Sequence, residues 1–193
     1  MQHLLTPFAK PMPPFAWWEG AFSDQQLDWL QNKAKHAEQN AYVGSGGGKV
    51  VDSNIRRSQI SWLRNTGDTQ WVFEILAEVV SQINAAHFGF DLTGFGEPLQ
   101  LTNYDQSENG MYGWHQDYGL SISRKLSMAV QLADPSEYEG GNLQVLTTGE
   151  PVNVQKKRGM IAIFPSYVLH QVTPVTQGSR QSLVAWVSGP AFK

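Results

Sequence analysis

Two residues near the middle of the chain have the spacing of metal ligands. His115 and Asp117 are separated by one residue in the segment WHQD. On an extended strand, residues i and i+2 point to the same face, so both side chains can reach one ion. Two ligands alone bind weakly. The spacing therefore predicts a metal site whose third ligand comes from another segment.

His170 is the best candidate for that third ligand. It stands in FPSYVLHQVTPV, at the start of a predicted strand, whereas His3 is terminal and His36 and His87 fall at predicted helix ends. Two histidines and one carboxylate on one face of a metal leave three positions open. This facial arrangement is typical of non-haem iron(II) oxygenases, in which a 2-oxo acid and dioxygen take the open positions.

A cation follows on the next predicted strand. Arg180 begins the segment RQSLVAWV ten residues after His170. Strand alternation puts four residues on one face: Arg180, Ser182, Val184 and Trp186. If that face points inward, Arg180 is a buried charge that needs a partner. A dicarboxylate would supply one, because the guanidinium suits bidentate carboxylate recognition.

The composition limits the other chemistries. The 193-residue chain has no cysteine, which excludes disulfides, zinc-thiolate sites, iron–sulfur clusters and cysteine nucleophiles. Hydrophobic residues make up 41% and charged residues 16%, as in ordinary globular proteins. The net charge of −3 and the pI of about 5.9 disfavour a nucleic-acid partner.

The N-terminal half favours helices. Ser23 and Gln26 have the spacing of a capping box, which predicts a helix that starts there. A second helix is expected at about 68–87. Its predicted apolar stripe comprises Trp71, Ile75, Val79 and Ile83. We interpret both as support helices that face the core.

The segment between these helices, residues 41–63, has two interpretations. Its glycine run, Gly44–Gly48, cannot hold a fixed backbone at low entropic cost. It is either a surface loop or a mobile lid that brings Arg56, Arg57 or Trp62 near a substrate. Arg57 and Trp62 are the candidate substrate residues.

The C-terminal half favours strands. Six short segments rich in β-formers are separated by turn residues: QLTNY, KLSMAVQLA, GNLQVL, GMIAIF, HQVTPV and RQSLVAWV. We expect an α+β, mainly β, fold that forms one domain over residues 1–193, with support helices at about 23–88 and a barrel core at about 98–189. The N-terminus lacks the features of a signal peptide, and no apolar run is long enough to span a membrane. A cytoplasmic protein without a membrane partner is expected.

From about Pro98 to Val187 the chain resembles the catalytic domain of prolyl 4-hydroxylase-like iron(II)/2-oxoglutarate dioxygenases, in particular the small microbial and phage type. Seven pieces occur in the family's order: QLTNY (100–104), HQD (115–117), LSMAVQL (126–132), YEGGNL (138–143), GMIAIFP (159–165), HQVTPV (170–175) and RQSLVAW (180–186). The resemblance implies a double-stranded β-helix, the jelly-roll barrel.

The same resemblance implies roles for individual residues. Iron is held by His115, Asp117 and His170, and Arg180 holds the distal carboxylate of 2-oxoglutarate. The residues implied beside the co-substrate are Tyr104, Gln131, Leu143 and Trp186. There are two departures: Gln131 stands where some relatives place a second tyrosine, and collagen-type members usually carry lysine in place of Arg180.

The implied activity is that of a procollagen-proline dioxygenase-like enzyme. It would use Fe(II), 2-oxoglutarate and O2, with ascorbate as an optional addition, to hydroxylate prolyl residues of a peptide or protein and release succinate and CO2. A free amino acid or another small molecule is an alternative substrate. Nucleic-acid demethylases are disfavoured, since Trp186 stands where they often carry a second arginine.

Two further classes remain open. A non-catalytic jelly roll would bind a metal or a small acid without consuming 2-oxoglutarate. A zinc hydrolase shares histidine and aspartate ligands but gives Arg180 no role, and ranks last. The oligomeric state stays open.

Overall fold

A computed structural model describes residues 11–41, 43, 51–118, 123–147 and 149–191. The helices there are α1 (Asp24–Lys35) and α2 (Gln70–Ile83), with short helical turns at Asn84–Phe88, Gln106–Glu108 and Pro135–Glu137. The strands are β1 (Ala16–Trp18), β2 (Gln39–Asn40), β3 (Arg56–Arg57), β4 (Gln59–Leu63), β5 (Gly94–Phe95), β6 (Leu99–Asp105), β7 (Met111–His115), β8 (Arg124–Gln131), β9 (Tyr138–Gly140), β10 (Leu143–Leu146), β11 (Pro151–Asn153), β12 (Ile161–Pro165), β13 (His170–Val172) and β14 (Val175–Ser188).

The strands form two antiparallel sheets. The larger has the order β1-β12-β8-β14-β6-β4-β2, with β5 and β9 also paired to β14, and the smaller has the order β11-β10-β13-β7-β3. Side chains of both sheets share one buried cluster, which includes Phe164 from the larger sheet and Val145 and Val172 from the smaller. This is the expected jelly-roll barrel, and it confirms the predicted fold.

The larger sheet has two chemically different faces, as strand alternation requires. On β8, Leu126, Met128 and Val130 belong to the core under the helices, while Ala129 packs in the cluster between the sheets. The interior face is more polar because it also carries buried serines, glutamines and Arg180. The helices therefore support the barrel from outside and leave its interior for the site.

Helix α1 begins at the predicted capping box. The Ser23 hydroxyl accepts from the Gln26 backbone amide, and the Gln26 side chain accepts from the Ser23 amide. The predicted stripe of α2 was confirmed in part, since Val79 and Ile83 are buried. The buried face comprises Val72, Phe73, Leu76, Val79, Val80 and Ile83, while Trp71 and Ile75 are only partly buried.

The predicted loop at 41–63 contains strands that the sequence analysis missed. Strand β3 pairs with β7 and β4 pairs with β6, so both join the barrel. The expected strand 170–175 is also divided, since β13 ends at Val172 and β14 starts at Val175. The Gly44–Gly48 run, with the lid predicted for it, lies outside the described residues. No helix of the described ranges is long and apolar enough to cross a membrane.

Candidate active site

The strand register brings the two candidate histidines together. His115 ends β7 and His170 begins β13, and the two residues are paired directly, with ring centroids 4.1 Å apart. Asp117 does not lie on a strand, contrary to the sequence expectation. It follows the end of β7, where the amides of Asp117 and Tyr118 both donate to the Ser166 carbonyl at 2.9 Å. These two hydrogen bonds, rather than strand pairing, hold Asp117 beside the histidines.

The ligand atoms of the three residues converge. One atom from each of His115, Asp117 and His170 lies within 4.8 Å of the others. The His115 Nε2 atom is 3.7 Å from Asp117 Oδ1, and the His170 Nε2 atom is 3.4 Å from Asp117 Oδ2. Because each side chain offers one atom to a common point, the cluster has the form of a three-ligand metal site.

Hydrogen bonds on the far side of each ring fix which nitrogen faces the cluster. The Nδ1 atoms of His115 and His170 lie 2.8 Å and 2.9 Å from the carbonyls of Gly113 and Val168. A carbonyl only accepts, so Nδ1 carries a proton in both rings and Nε2 is the atom turned toward Asp117. A neutral ring of this tautomer presents an Nε2 lone pair that a divalent cation can accept. Histidines that bind a metal usually donate their other ring N–H to a carbonyl or carboxylate in this way.

The electrostatics of the cluster favour the same conclusion. Burial, and then the neighbouring His170, lower the pKa of His115 to about 3, so this ring is neutral. Burial opposes ionisation of Asp117, but the charge and hydrogen bond of His170 hold its pKa below the usual range. Burial likewise opposes protonation of His170, and Asp117 outweighs it and raises the pKa of that ring. A metal would displace the His170 proton.

Several residues that the sequence analysis missed surround the cluster. The Ser127 hydroxyl donates to Asp117 Oδ2 at 2.7 Å and lies 3.0 Å from the Ser166 hydroxyl. The Tyr112 ring stacks on His115 at 3.5 Å, and burial raises the pKa of Tyr112 to about 12. The position of Ser127 could have been predicted from the sequence, because this residue alternates with apolar residues in a predicted strand. The contacts of Ser166 and Tyr112 depend on long-range packing.

A second feature of the barrel interior is a recess around Arg180. This arginine is only 3% exposed, and its guanidinium donates to the Ser182 hydroxyl at 3.3 Å and lies 5.5 Å from the Tyr104 ring. Among the residues expected beside the co-substrate, Gln131 and Leu143 line the recess with Arg180. Tyr138 and Lys156 line it as well and were missed by the sequence analysis.

Tyr138 is the central polar group of this recess. Its hydroxyl accepts from Gln131 Nε2 at 2.8 Å. Burial raises the pKa of Tyr138, while the charge of Arg180 and hydrogen bonds from Arg180 and Gln131 oppose that rise. Lys156 lies 4.5 Å from the Tyr138 ring, and burial, followed by the charge of Arg180, lowers its pKa. Arg180, Lys156 and the Tyr138 hydroxyl thus bring several hydrogen-bond donors together in the recess.

The metal cluster and the recess share one face of β8. Ser127 contacts Asp117, while Ala129 and Gln131 line the recess. These three residues alternate along the strand, so the two sites belong to the same interior. At about 3.3 Å of rise per residue, Ser127 and Gln131 are about 13 Å apart along the strand.

The other predicted site residues lie in different places. Trp186 pairs with Ser127, which puts it near the metal cluster rather than in the recess lining. The Arg124 guanidinium covers its ring at 4.0 Å and binds Glu97 through two nitrogens, at 2.8 Å and 2.5 Å. Trp62 is 39% exposed, with its ring 6.4 Å from that of Trp186. It therefore lies toward the surface, beyond Trp186.

Arg57 is not brought to the metal cluster. Its side chain donates to the carbonyls of Asn109 at 3.1 Å and Ser53 at 2.8 Å. Its neighbour Arg56 is the residue that turns inward and is 8% exposed. The two arginines alternate on a short strand, and the sequence alone did not indicate which face of that strand was the interior.

A jelly-roll barrel that holds a His–Asp–His cluster and a buried arginine belongs to a recognised class, the non-haem iron oxygenases. The model of the 2OG-Fe(II) oxygenase superfamily matches residues 99–188. A PKHD-type hydroxylase of Teredinibacter turnerae is 34% identical over 181 residues, which cover 88% of this chain and 70% of the relative. The chain belongs to the 2OG-Fe(II) oxygenase superfamily. Members of this superfamily are dioxygenases that use Fe(II), 2-oxoglutarate and O2.

Other relatives match over shorter spans. A PKHD-type hydroxylase of Prochlorococcus marinus is 41% identical over 83 residues, or 42% of this chain. That alignment covers only 38% of the relative's length. The activity and substrates of such whole proteins therefore bear on this chain only as a proposal.

Solved structures share the fold. A prolyl-4-hydroxylase of Pseudomonas putida has a TM-score of 0.71 and 18% identity, over 92% of this chain and 94% of that one. A Trichoplax adhaerens prolyl hydroxylase, solved with a peptide fragment of the hypoxia inducible factor oxygen degradation domain, has a TM-score of 0.74 and 15% identity. That match covers 91% of this chain and 84% of the other.

Proposed function

We propose that the protein is an Fe(II)- and 2-oxoglutarate-dependent hydroxylase. The observation that carries this proposal is the pairing of two sites in one barrel interior. One site turns two imidazole Nε2 atoms and a carboxylate toward a common point. The other surrounds a buried arginine with further hydrogen-bond donors. The first suits a divalent metal, and the second suits the carboxylate of a small acid.

His115, Asp117 and His170 would hold the metal. Bound Fe(II) supplies the oxidative chemistry, in which O2 and 2-oxoglutarate yield succinate, CO2 and a hydroxylated substrate. The protein keeps the ligands in place. Ser127 orients Asp117 by a hydrogen bond, and the carbonyls of Gly113 and Val168 orient the rings. Three protein ligands leave positions for an incoming bidentate acid.

The recess would bind the distal carboxylate of 2-oxoglutarate. Guanidinium and ammonium groups only donate hydrogen bonds, and a carboxylate only accepts them. The Tyr138 oxygen already accepts from Gln131, so its own hydrogen is free to be donated to a further acceptor. Both amide hydrogens of Gln131 are used, by Tyr138 and by the Ala133 carbonyl. Tyr138 therefore supplies the hydroxyl that some relatives place at position 131.

The substrate proposed first is a prolyl residue in a peptide or protein. Two solved structures of the same fold, from Pseudomonas putida and Trichoplax adhaerens, are described as prolyl hydroxylases, and the second contains a peptide. Hydroxylation of a free amino acid is a second candidate, which is favoured by the buried Arg56, a cation without a carboxylate partner among the described residues. A cytoplasmic location and a single domain over residues 1–193 stay predictions.

An anaerobic titration would test the proposed function. Fe(II) and then 2-oxoglutarate are added to the metal-free protein, and the visible metal-to-ligand charge-transfer band is recorded. O2 is then admitted and succinate is measured. We expect a band and succinate from the native protein and from His87→Ala, which removes an exposed histidine far from the cluster in sequence. We expect neither from His115→Ala.

A different outcome would indicate the non-catalytic alternative. Folded protein that binds metal without the band and without forming succinate would be a binding barrel. The resemblance to the oxygenases would then concern the fold only.

A further inference from the structure

Arg56 is a buried cation to which none of the roles above applies. Its Nε donates to the Ser58 hydroxyl at 2.9 Å, and its Nη2 donates to Gln100 Oε1 at 2.7 Å. Its guanidinium also covers the Tyr112 ring at 4.5 Å. These partners are neutral. Within the described ranges, Arg56 forms no ion pair with a carboxylate.

This lack of a counter-charge is unusual for a buried arginine. A guanidinium cannot lose its proton in a protein, and a buried charge is costly unless it is paired. The less buried Arg124 and Arg158 both contact carboxylates, those of Glu97 and Asp28. Arg180 is the other buried arginine in the described part of the chain, and we have proposed that it binds a carboxylate.

The position of Arg56 links it to the reaction centre. Tyr112 lies between the two sites, because one ring contact joins it to Arg56 and another, at 3.5 Å, joins it to His115. A group bound at Arg56 would therefore lie about one aromatic ring away from a proposed metal ligand.

The two buried arginines are related through one strand. Gln100 binds Arg56, and Tyr104 lies under Arg180. Both residues belong to β6 and are four positions apart, so they share a face and are about 13 Å apart along the strand. Arg180 and Arg56 thus lie at the two ends of the polar row formed by Gln100, Thr102 and Tyr104.

We propose that Arg56 binds a carboxylate of the substrate. The preferred substrate would then carry a carboxylate on the residue that is hydroxylated, as a free amino acid or a C-terminal residue does. An internal residue offers only a neutral carbonyl at that position. This inference rests on the proposed oxygenase function and narrows its substrate class. Arg180 would hold the co-substrate at one end of the row, and Arg56 would hold the substrate at the other.

The competing explanation is structural. Arg56 could serve only to support Tyr112 and Gln100, in which case its charge would not matter to the ligand. Acid and amide forms of one ligand separate the two explanations, since they differ by that charge and have nearly the same shape. Free L-proline is paired with L-prolinamide, and a peptide that ends in proline is compared as acid and amide. A wider panel of free amino acids and their amides follows.

Binding is measured by calorimetry with Mn(II) and 2-oxoglutarate present, so that no turnover occurs. We expect at least one acid to bind about tenfold or more tightly than its amide, the size of effect expected for a charge-assisted contact. In Arg56→Met that ratio should fall to about one, and in Arg56→Lys part of it should remain. Arg64→Met, which removes an exposed arginine after β4, should keep the ratio of the native protein.

Failure of the Arg56 proposal can be distinguished from failure of the proposed oxygenase function. Equal binding of acid and amide throughout the panel would overturn the role of Arg56, even if the charge-transfer band and succinate are observed. A preference for the acid that survives Arg56→Met would also overturn it. The absence of the band in the native protein would instead refute the oxygenase proposal, and the acid-to-amide ratio is still measurable in that protein. Thermal unfolding of each variant identifies any that does not fold.

Discussion

The side-chain amide of Gln131 donates to the Tyr138 hydroxyl at 2.8 Å, and this contact joins β8 to β9 beside Arg180. It pairs two residues that the chain separates by a turn at Pro135–Glu137. Gln131 has no further amide hydrogen to offer a ligand, because its other one is donated to the Ala133 carbonyl. The contact therefore makes Tyr138, rather than Gln131, the residue that can donate to an acid in the recess.

Replacing Tyr138 should weaken the binding of 2-oxoglutarate. Tyr138→Phe removes one donated hydrogen bond to a charged acceptor, worth roughly 1.5–3 kcal/mol, so we expect the Kd to rise about tenfold or more. The Kd is measured by calorimetry with Mn(II) in place of iron. Tyr167→Phe is the control, since that residue is 40% exposed and outside the recess. An unchanged Kd in Tyr138→Phe would remove Tyr138 from the co-substrate site.

Replacing Arg180 should have a larger effect of the same kind. Arg180→Ala would leave the carboxylate without its buried cation, and a truncated buried charge pair costs about 2–5 kcal/mol. The KM for 2-oxoglutarate should rise by about two orders of magnitude, and succinate formation should recover in part at high 2-oxoglutarate. The KM of Arg180→Lys should lie between those of the native protein and Arg180→Ala, because lysine keeps the charge but not the bidentate geometry. An unaltered KM in Arg180→Ala would place the distal carboxylate elsewhere.

Loss of a proposed metal ligand should remove the stabilisation that metal gives. A ligand that binds only the folded state contributes about 2.7 kcal/mol at one hundred times its Kd, which raises the Tm of a domain of this size by roughly 5–10 °C. We expect Mn(II) to raise the Tm of the native protein and of His87→Ala by this amount. His170→Ala and Asp117→Ala should show little or no rise. Iron-dependent turnover retained in His170→Ala would disprove its assignment as a ligand.

What the sequence predicted well was local or strongly patterned. The capping box at Ser23 needs contacts over three residues, and its prediction was confirmed. The barrel strands followed from β-forming runs between turns, and the jelly-roll fold from their resemblance to a known family. The grouping of His115, Asp117 and His170 was predicted, although Asp117 lies beyond the strand and is held by hydrogen bonds to the Ser166 carbonyl.

What the sequence did not predict depends on strand pairing. Tyr138 belongs to the YEGGNL motif, but its contact with Gln131 follows from the pairing of β9 with β14. Arg56 and Arg57 are adjacent and chemically equivalent in the sequence. Only the pairing of β3 with β7 decides which of them is buried. Local patterns do not specify such register, because it is fixed by partners far away in the chain.

The pairing of β9 with β14 depends on a glycine that no other residue should replace. Gly178 pairs with Tyr138 and has φ +68°, and a Cβ there would lie 2.0 Å from the Glu137 carbonyl. Gly178→Ala must therefore displace the backbone next to Tyr138. Gly89 is a matched control, since its φ of +66° is similar but its Cβ would meet nothing within 4 Å.

Gly89→Ala should lower the unfolding free energy by only about 1–2 kcal/mol, the cost of placing a residue with a Cβ in the left-handed conformation. Gly178→Ala should cost clearly more, since backbone atoms cannot yield as a flexible side chain does. Urea unfolding measures both. Because the displaced backbone carries Tyr138, Gly178→Ala should also weaken 2-oxoglutarate binding, whereas Gly89→Ala should not. Equal losses of stability in the two variants would mean that β9 moves away without cost, and that the recess does not depend on this pairing.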